Sequence, residues 1–98
     1  MKVYLTAIIK SKPEHTEEVA QVLGDLVIQS RKETACIQYD LHQSIEDKNI
    51  FVFYEIWKNQ QGLDLHNEQL YIREFGKLAD EKLAEKPTVY LTQKIEKG

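Results

Sequence analysis

A chain of 98 residues, 42% of them hydrophobic and 30% charged, has the composition of a folded globular protein and the length of one domain, residues 1–98. The net charge of -3 excludes a broadly basic surface, so neither nucleic acid nor an anionic membrane is an expected partner. The single cysteine excludes an internal disulfide, and no apolar run approaches the roughly 20 residues that cross a bilayer. Since the first residues also lack the features of a signal peptide, we expect a cytoplasmic protein.

The first half of the chain predicts a strand, a helix and a second strand. Apolar side chains occupy every second position of residues 2–10, which indicates a strand that ends at Ser11-Lys12-Pro13. Apolar residues then recur at three- and four-residue spacing over about residues 14–32, the pattern of an amphipathic helix. Residues 36–43 alternate again and predict the second strand.

The second half repeats this order. A short polar turn at residues 44–49 separates the second strand from a third at residues 50–58, which indicates an antiparallel hairpin. A helical pattern follows from Asn59 to Lys86, as one bent helix or as two, and a last strand contains Val89, Leu91 and Ile95. The order strand-helix-strand-strand-helix-strand predicts an α+β, ferredoxin-like fold, in which helices cover one face of a four-stranded antiparallel sheet.

The third strand is apolar on both of its faces. Helices can cover only one face, and the exposed face of an antiparallel sheet is normally polar. Here Val52, Tyr54 and Ile56 would meet water on that face. A second copy of the sheet would cover them, so we predict a homodimer that forms through the open face of the sheet.

Four residues near the end of the third strand predict a small-molecule site. Glu55 and Trp57 are two positions apart and therefore point to the same side of the sheet. His66 follows on a helix that packs over that side, and Tyr71 can close one end of the space. An apolar pocket with one acid and one imidazole is typical of a small-ligand site. Two further aromatic residues are assigned to this pocket: Phe53 and Phe75.

Each of these residues has a structural alternative. Trp57 can be a core residue, Glu55 can form a salt bridge with a base such as Arg73, and His66 can be a hydrogen-bonded core histidine. The three histidines lack metal-ligand spacing, so no metal site is expected. The four glycines are isolated and form no phosphate-binding loop, so no NAD, FAD or ATP cofactor is expected. Cys36 is interpreted as a small buried residue.

The spacing of these residues resembles that of the antibiotic-biosynthesis-monooxygenase domain. The resemblance rests on Glu55-x-Trp57 and on Leu63-x-x-His66, in which the histidine lies nine residues after the tryptophan. The segment Glu33-x-x-Cys36-x-x-Tyr39 and the first strand running into Lys12-Pro13 also fit. The resemblance extends over residues 2–95.

The resemblance implies dimers whose sheets pack together, and small aromatic substrates that dioxygen oxidises without metal or flavin. It also implies roles for three residues: His66 as the acid–base catalyst, Glu55 as its orienting partner and Trp57 as a pocket wall. The leading hypothesis is therefore a cofactor-independent monooxygenase that acts on a small quinol-like or polyphenolic compound.

Three positions depart from the family pattern. Many members carry a second histidine where this chain has Tyr71, and a glycine where it has Ala35. Relatives that degrade haem carry an asparagine where it has Ala7, so haem binding or degradation is the least favoured function. The missing histidine keeps an alternative open, namely a non-enzymatic dimeric module for small-ligand binding or stress response.

Overall fold

Seven regular elements follow one another in the predicted order in the computed structural model, which describes residues 1–97. They are β1 (Val3–Lys10), α1 (Thr16–Ser30), β2 (Cys36–Gln43), β3 (Ile50–Trp57), α2 (Gln60–Asn67), α3 (Leu70–Lys82) and β4 (Thr88–Thr92). The strands form one antiparallel sheet in the order β2-β3-β1-β4. The predicted ferredoxin-like fold is therefore confirmed.

The structure corrects two of the predicted boundaries and decides one that the sequence left open. A 3-10 turn, Pro13–His15, precedes α1, so the helix begins later than predicted. The region after β3 contains two helices, because the extended backbone of Gln69 interrupts the helical path before α3. β4 ends at Thr92 and does not include Ile95, because Thr92 pairs with Tyr4 and β1 extends only one residue further, to Val3.

The core lies between the sheet and the helices. On β3 the side chains at positions 51, 53, 55 and 57 are buried on the helix side, as their alternation predicts. From α1, Val19, Leu23 and Leu26 pack into this core and are buried. The remaining β3 side chains lie on the other face, where Tyr54 is 37% exposed. The two faces of β3 thus have separate roles, one inside the protomer and one open.

The start of α2 lies very close to the loop that precedes β2. The side chain of Asn59 caps the helix by accepting a hydrogen bond from the Gly62 N–H at 2.8 Å. A Cβ atom on Gly62 would overlap with the Cβ of Ala35, so a side chain at this position has no room. The absence of a side chain at residue 62 therefore sets how closely α2 approaches the loop.

We expect Gly62→Ala to lower the free energy of unfolding by about 1–3 kcal/mol, the usual cost of overpacking a filled site. Gly24→Ala is the matched control, because a Cβ there would meet nothing within 4 Å. That control should raise stability by up to about 1 kcal/mol, since alanine is the better helix former. Urea denaturation followed by circular dichroism measures both changes. Equal effects of the two substitutions would contradict the close approach of α2 to the loop.

Candidate functional site

A cavity of about 320 Å³ lies between the helix side of the sheet and the helices α2 and α3. Its wall is mostly apolar, and its polar lining groups include Tyr39, Glu55 and His66. No lysine or arginine is among its lining residues in the described part of the chain. The apolar wall includes Ala7, Phe53, Leu63, Ile72, Phe75 and Leu91.

The strand register brings the two polar sheet residues together. Tyr39 on β2 pairs with Glu55 on β3, and Glu55 pairs with Leu5 on β1, so these side chains form one row across the sheet. Leu91 on β4 continues the same row at the edge. Glu55 therefore lies on one of the two middle strands of the sheet, on the side that the helices cover.

Glu55 is a buried acid whose partner is the indole of Trp57. Glu55 is only 4% exposed. The Trp57 Nε1–H donates a hydrogen bond to Oε1 of Glu55 at 2.8 Å. The structural alternative for Glu55, a salt bridge with Arg73, does not form among residues 1–97. Burial raises the pKa of Glu55 to about 7, although the hydrogen bond from Trp57 opposes this rise. The carboxyl group can therefore gain or lose a proton near neutral pH.

His66 lies on α2 inside a group of three aromatic rings. Its ring centroid is 4.4 Å from that of Trp57, 5.6 Å from that of Tyr39 and 6.2 Å from that of Tyr71. This burial lowers the pKa of His66 below its ordinary value, although a hydrogen bond to Glu33 acts in the opposite direction. A neutral imidazole at the cavity wall can accept a proton.

Glu33 is a polar partner of the site that the sequence analysis did not assign to it. It lies in the loop between α1 and β2, and its Oε2 is 2.6 Å from the Nδ1 of His66. The same Oε2 accepts a hydrogen bond from the hydroxyl of Tyr71. The one sequence signal was the place of Glu33 in the segment shared with the family. That signal names no partner, because His66 and Tyr71 are 33 and 38 residues away.

The structure places the six predicted site residues in two groups. Four of them line the cavity: Phe53, Glu55, His66 and Phe75. Trp57 and Tyr71 are not among the lining residues, which corrects the prediction of a pocket walled by one and closed by the other. Trp57 is fully buried against Glu55 and His66, and the hydroxyl of Tyr71 is bound by Glu33. Cys36 is half-buried rather than buried, which corrects a second prediction.

Residues 1–97 contain neither a metal-binding group of side chains nor a helix that could span a membrane. No three or more histidine, cysteine, aspartate or glutamate side chains of this range are grouped so that they could hold a metal ion. Within the same range, every helix is too short or too polar to cross a membrane.

The fold and the cavity define the chain as a ferredoxin-like α+β protein with a mostly apolar cavity between its sheet and its helices. The sequence model of the antibiotic biosynthesis monooxygenase family matches residues 3–78, which is more than half of the chain. The chain therefore belongs to the antibiotic biosynthesis monooxygenase family.

Individual proteins and a solved structure are also similar to this chain. The "Putative monooxygenase YcnE" of Bacillus subtilis (strain 168) is 38% identical over 73 residues, which cover 74% of this chain and 77% of that protein. The "Uncharacterized protein sll1783" of Synechocystis is 34% identical over 87 residues, and this chain spans only 58% of its length. The crystal structure of PA3566 from Pseudomonas aeruginosa superposes with a TM-score of 0.91 at 28% identity, covering 97% of this chain and 95% of that one.

The raised pKa of Glu55 predicts a pH-dependent stability. Below its ordinary pKa of 4.5 the group is protonated in both the folded and the unfolded state, and burial then has no ionic cost. Stability should fall as the pH rises through about 7, because the unfolded chain releases its proton first. The full difference amounts to about 3 kcal/mol at most.

Glu55→Gln should remove this loss, so the variant should gain stability relative to the native chain between pH 5 and pH 8. Thermal unfolding at several pH values measures the difference, and Glu81→Gln, on the exposed side of α3, is the control. The same pH dependence in the native chain and in Glu55→Gln would show that Glu55 does not titrate in this range.

Proposed function

We propose that the chain is a cofactor-independent monooxygenase that oxidises a small quinol-like or polyphenolic compound with dioxygen. One observation carries the proposal: Glu55, whose pKa burial raises to about 7, and His66, whose pKa burial lowers, line the same mostly apolar cavity. The family match and the printed name of the Bacillus relative support monooxygenase chemistry.

The proposed reaction requires proton transfer at two places. His66 takes the proton of a substrate hydroxyl, and the resulting electron-rich phenolate passes an electron to dioxygen. The two radicals combine into a carbon-bound peroxide, which protonated Glu55 converts into a hydroperoxide. Loss of the proton on that carbon to Glu55 then breaks the O–O bond and forms a carbonyl group. The departing hydroxide takes the proton held by His66, so water leaves and both residues return to their initial state.

The cavity favours a small substrate with a large apolar surface. Its volume of about 320 Å³ is at the lower end of the range found for ligand pockets, roughly 300–1,000 Å³. Aromatic side chains on two sides, Phe53 from β3 and Phe75 from α3, can pack against a ring held between sheet and helices. Such a wall also keeps water away from the reacting peroxide.

His66→Ala should lower oxygen consumption with an active hydroquinone by about 100-fold or more, the usual contribution of a positioned acid–base group. His15→Ala, in the 3-10 turn before α1 and outside the cavity lining, should leave the rate unchanged. The rate of the native protein should fall as the pH rises above about 7, because ionised Glu55 cannot protonate the peroxide. An oxygen electrode and a panel of hydroquinones provide the measurement. If no compound is oxidised faster by the native protein than by His66→Ala, the proposal is wrong.

A non-enzymatic ligand-binding module is the second candidate. The observation that favours it is Tyr71, which stands where many family members have a second histidine and whose hydroxyl is engaged by Glu33. The cavity wall then has a single histidine, His66. A compound that raises the melting temperature by binding, yet is recovered unchanged in air, would support this candidate over the first.

We also propose that two chains pair through the open face of the sheet. Support comes from a cluster of apolar side chains that face away from the helices and include Ile8, Val52, Tyr54, Ile56 and Tyr90. Tyr90 is 54% exposed, and Tyr54 and Ile8 are also partly in water. Pairing related by a twofold axis would bury this cluster and close the contact.

Ile56→Asp should convert the dimer into monomers or unfold the chain, because it would place an unpaired charge in the interface. Ile28→Asp is the matched control, since Ile28 is an exposed isoleucine on α1, away from the open face. Analytical ultracentrifugation of the native chain and of both variants gives the association state. A native chain that sediments as a stable monomer at micromolar concentration would contradict the proposed pairing.

A further inference from the structure

We propose that Glu33 and Tyr71 are positioning residues, which keep the proton of neutral His66 on Nδ1 and thereby leave Nε2 as the basic atom. The catalytic consequence rests on the proposed function, whereas the position of the proton does not depend on any reaction. The proposal concerns a group of three side chains from three elements: Glu33 from the loop before β2, His66 from α2 and Tyr71 from α3.

The hydrogen bonds around one carboxylate oxygen fix the direction of donation. The hydroxyl of Tyr71 donates to Oε2 of Glu33, and Nδ1 of His66 lies 2.6 Å from the same atom. An ionised carboxylate has no proton to give and accepts from both partners, so Nδ1 carries the hydrogen. The short N···O distance is typical of a hydrogen bond to a charged acceptor.

The second ring nitrogen of His66 is left for the cavity. Nε2 has no hydrogen-bond partner among residues 1–97. In that range the Ser30 hydroxyl is the only fully buried polar side-chain atom without a partner, so Nε2 is not fully buried. Because His66 lines the cavity, a ligand there can reach this atom.

Glu33 is held firmly enough to set the orientation of the ring. Its backbone N–H donates to the Ser30 carbonyl at 3.0 Å, and its carbonyl accepts from the Cys36 N–H at 3.1 Å, so the loop forms a closed turn. Its side chain is 14% exposed, and the residue also lines a surface groove beside Lys32 and Lys58. The Oε2 atom of this carboxylate faces its two donors, Nδ1 of His66 and the hydroxyl of Tyr71.

Without this arrangement, neutral imidazole can carry its proton on either nitrogen. A histidine that holds its proton on Nε2 presents a donor to the substrate hydroxyl and cannot accept its proton. A carboxylate on the far nitrogen of a catalytic histidine fixes the tautomer and stabilises the imidazolium that forms. Tyr71 contributes by occupying the same oxygen, which restricts the rotation of the Glu33 carboxylate.

The tautomer can be measured directly by long-range ¹H–¹⁵N NMR correlation on labelled protein. The chain has three histidines, and His66→Gln identifies the signals of residue 66. The native chain should show a protonated Nδ1 and an unprotonated Nε2. Glu33→Ala should shift the population toward Nε2–H, and Tyr71→Phe should do so to a smaller extent. Glu68→Ala, which removes an exposed acid next to α2, should leave the tautomer unchanged.

Two further measurements complete the test. Glu33→Gln keeps a carbonyl acceptor for Nδ1–H but removes the charge, so it should retain the tautomer and lower the pKa of His66. With an active substrate, Glu33→Ala should lower kcat by at least about tenfold while KM changes little, because the residue does not line the cavity. A native tautomer protonated on Nε2, or the native tautomer in both Glu33→Ala and Tyr71→Phe, would overturn the proposal. Failure to find any substrate would count against the proposed function alone, since the NMR readout needs none.

Discussion

The burial of one carboxyl group, that of Glu55, is the constraint on which the rest of the site depends. An acid in the central strands of a sheet and under two helices loses its hydration, which favours its protonated form. The structure compensates with a hydrogen bond from the indole of Trp57, and no base pairs with Glu55 among residues 1–97. The result is a group that titrates near pH 7 inside a mostly apolar cavity. The same desolvation keeps His66 neutral, so one physical cause provides both a proton donor and a proton acceptor.

Sequence patterns predicted the fold well because periodicity reports which face of an element is buried. The alternation of β3 correctly divided Phe53 and Glu55 from Val52 and Tyr54, and the helical spacing of Val19, Leu23 and Leu26 correctly gave the buried face of α1. Boundaries were less predictable, because they depend on partners. β4 ends close to where β1 begins, because the two strands are antiparallel. The break before α3 depends on the backbone of one residue, Gln69, whose neighbours on both sides suit a helix.

The sequence could predict a site residue only where its position depends on the face of the sheet it occupies or on its closeness along the chain to another site residue. Glu55 and His66 line one cavity. Strand alternation places Glu55 on the helix side of the sheet, and the short β3–α2 connection places His66 over that side. Trp57 and Tyr71 make contacts that face and proximity do not decide: the Trp57 indole is buried against Glu55 and His66, and the Tyr71 hydroxyl is bound by Glu33. The hydrogen bond between Tyr71 and Glu33 joins residues 38 positions apart, and periodicity carries no information about such a contact. Glu33 was missed for the same reason.

The geometry of the His66–Glu33 contact depends in turn on a place where two backbones nearly touch. Gly62 and His66 are four residues apart on α2 and so lie on the same face of the helix. Ala35 and Glu33 are two residues apart in the facing loop, and Gly62 has no side chain where the Cβ of Ala35 lies. Many family members have glycine in the loop, whereas this chain has alanine there, and the glycine on α2 leaves room for the extra methyl group. A larger residue at position 62 would therefore move α2 outward and lengthen the distance between Nδ1 of His66 and Oε2 of Glu33. The tautomer of a cavity histidine thus depends on the absence of one methyl group a full helical turn away.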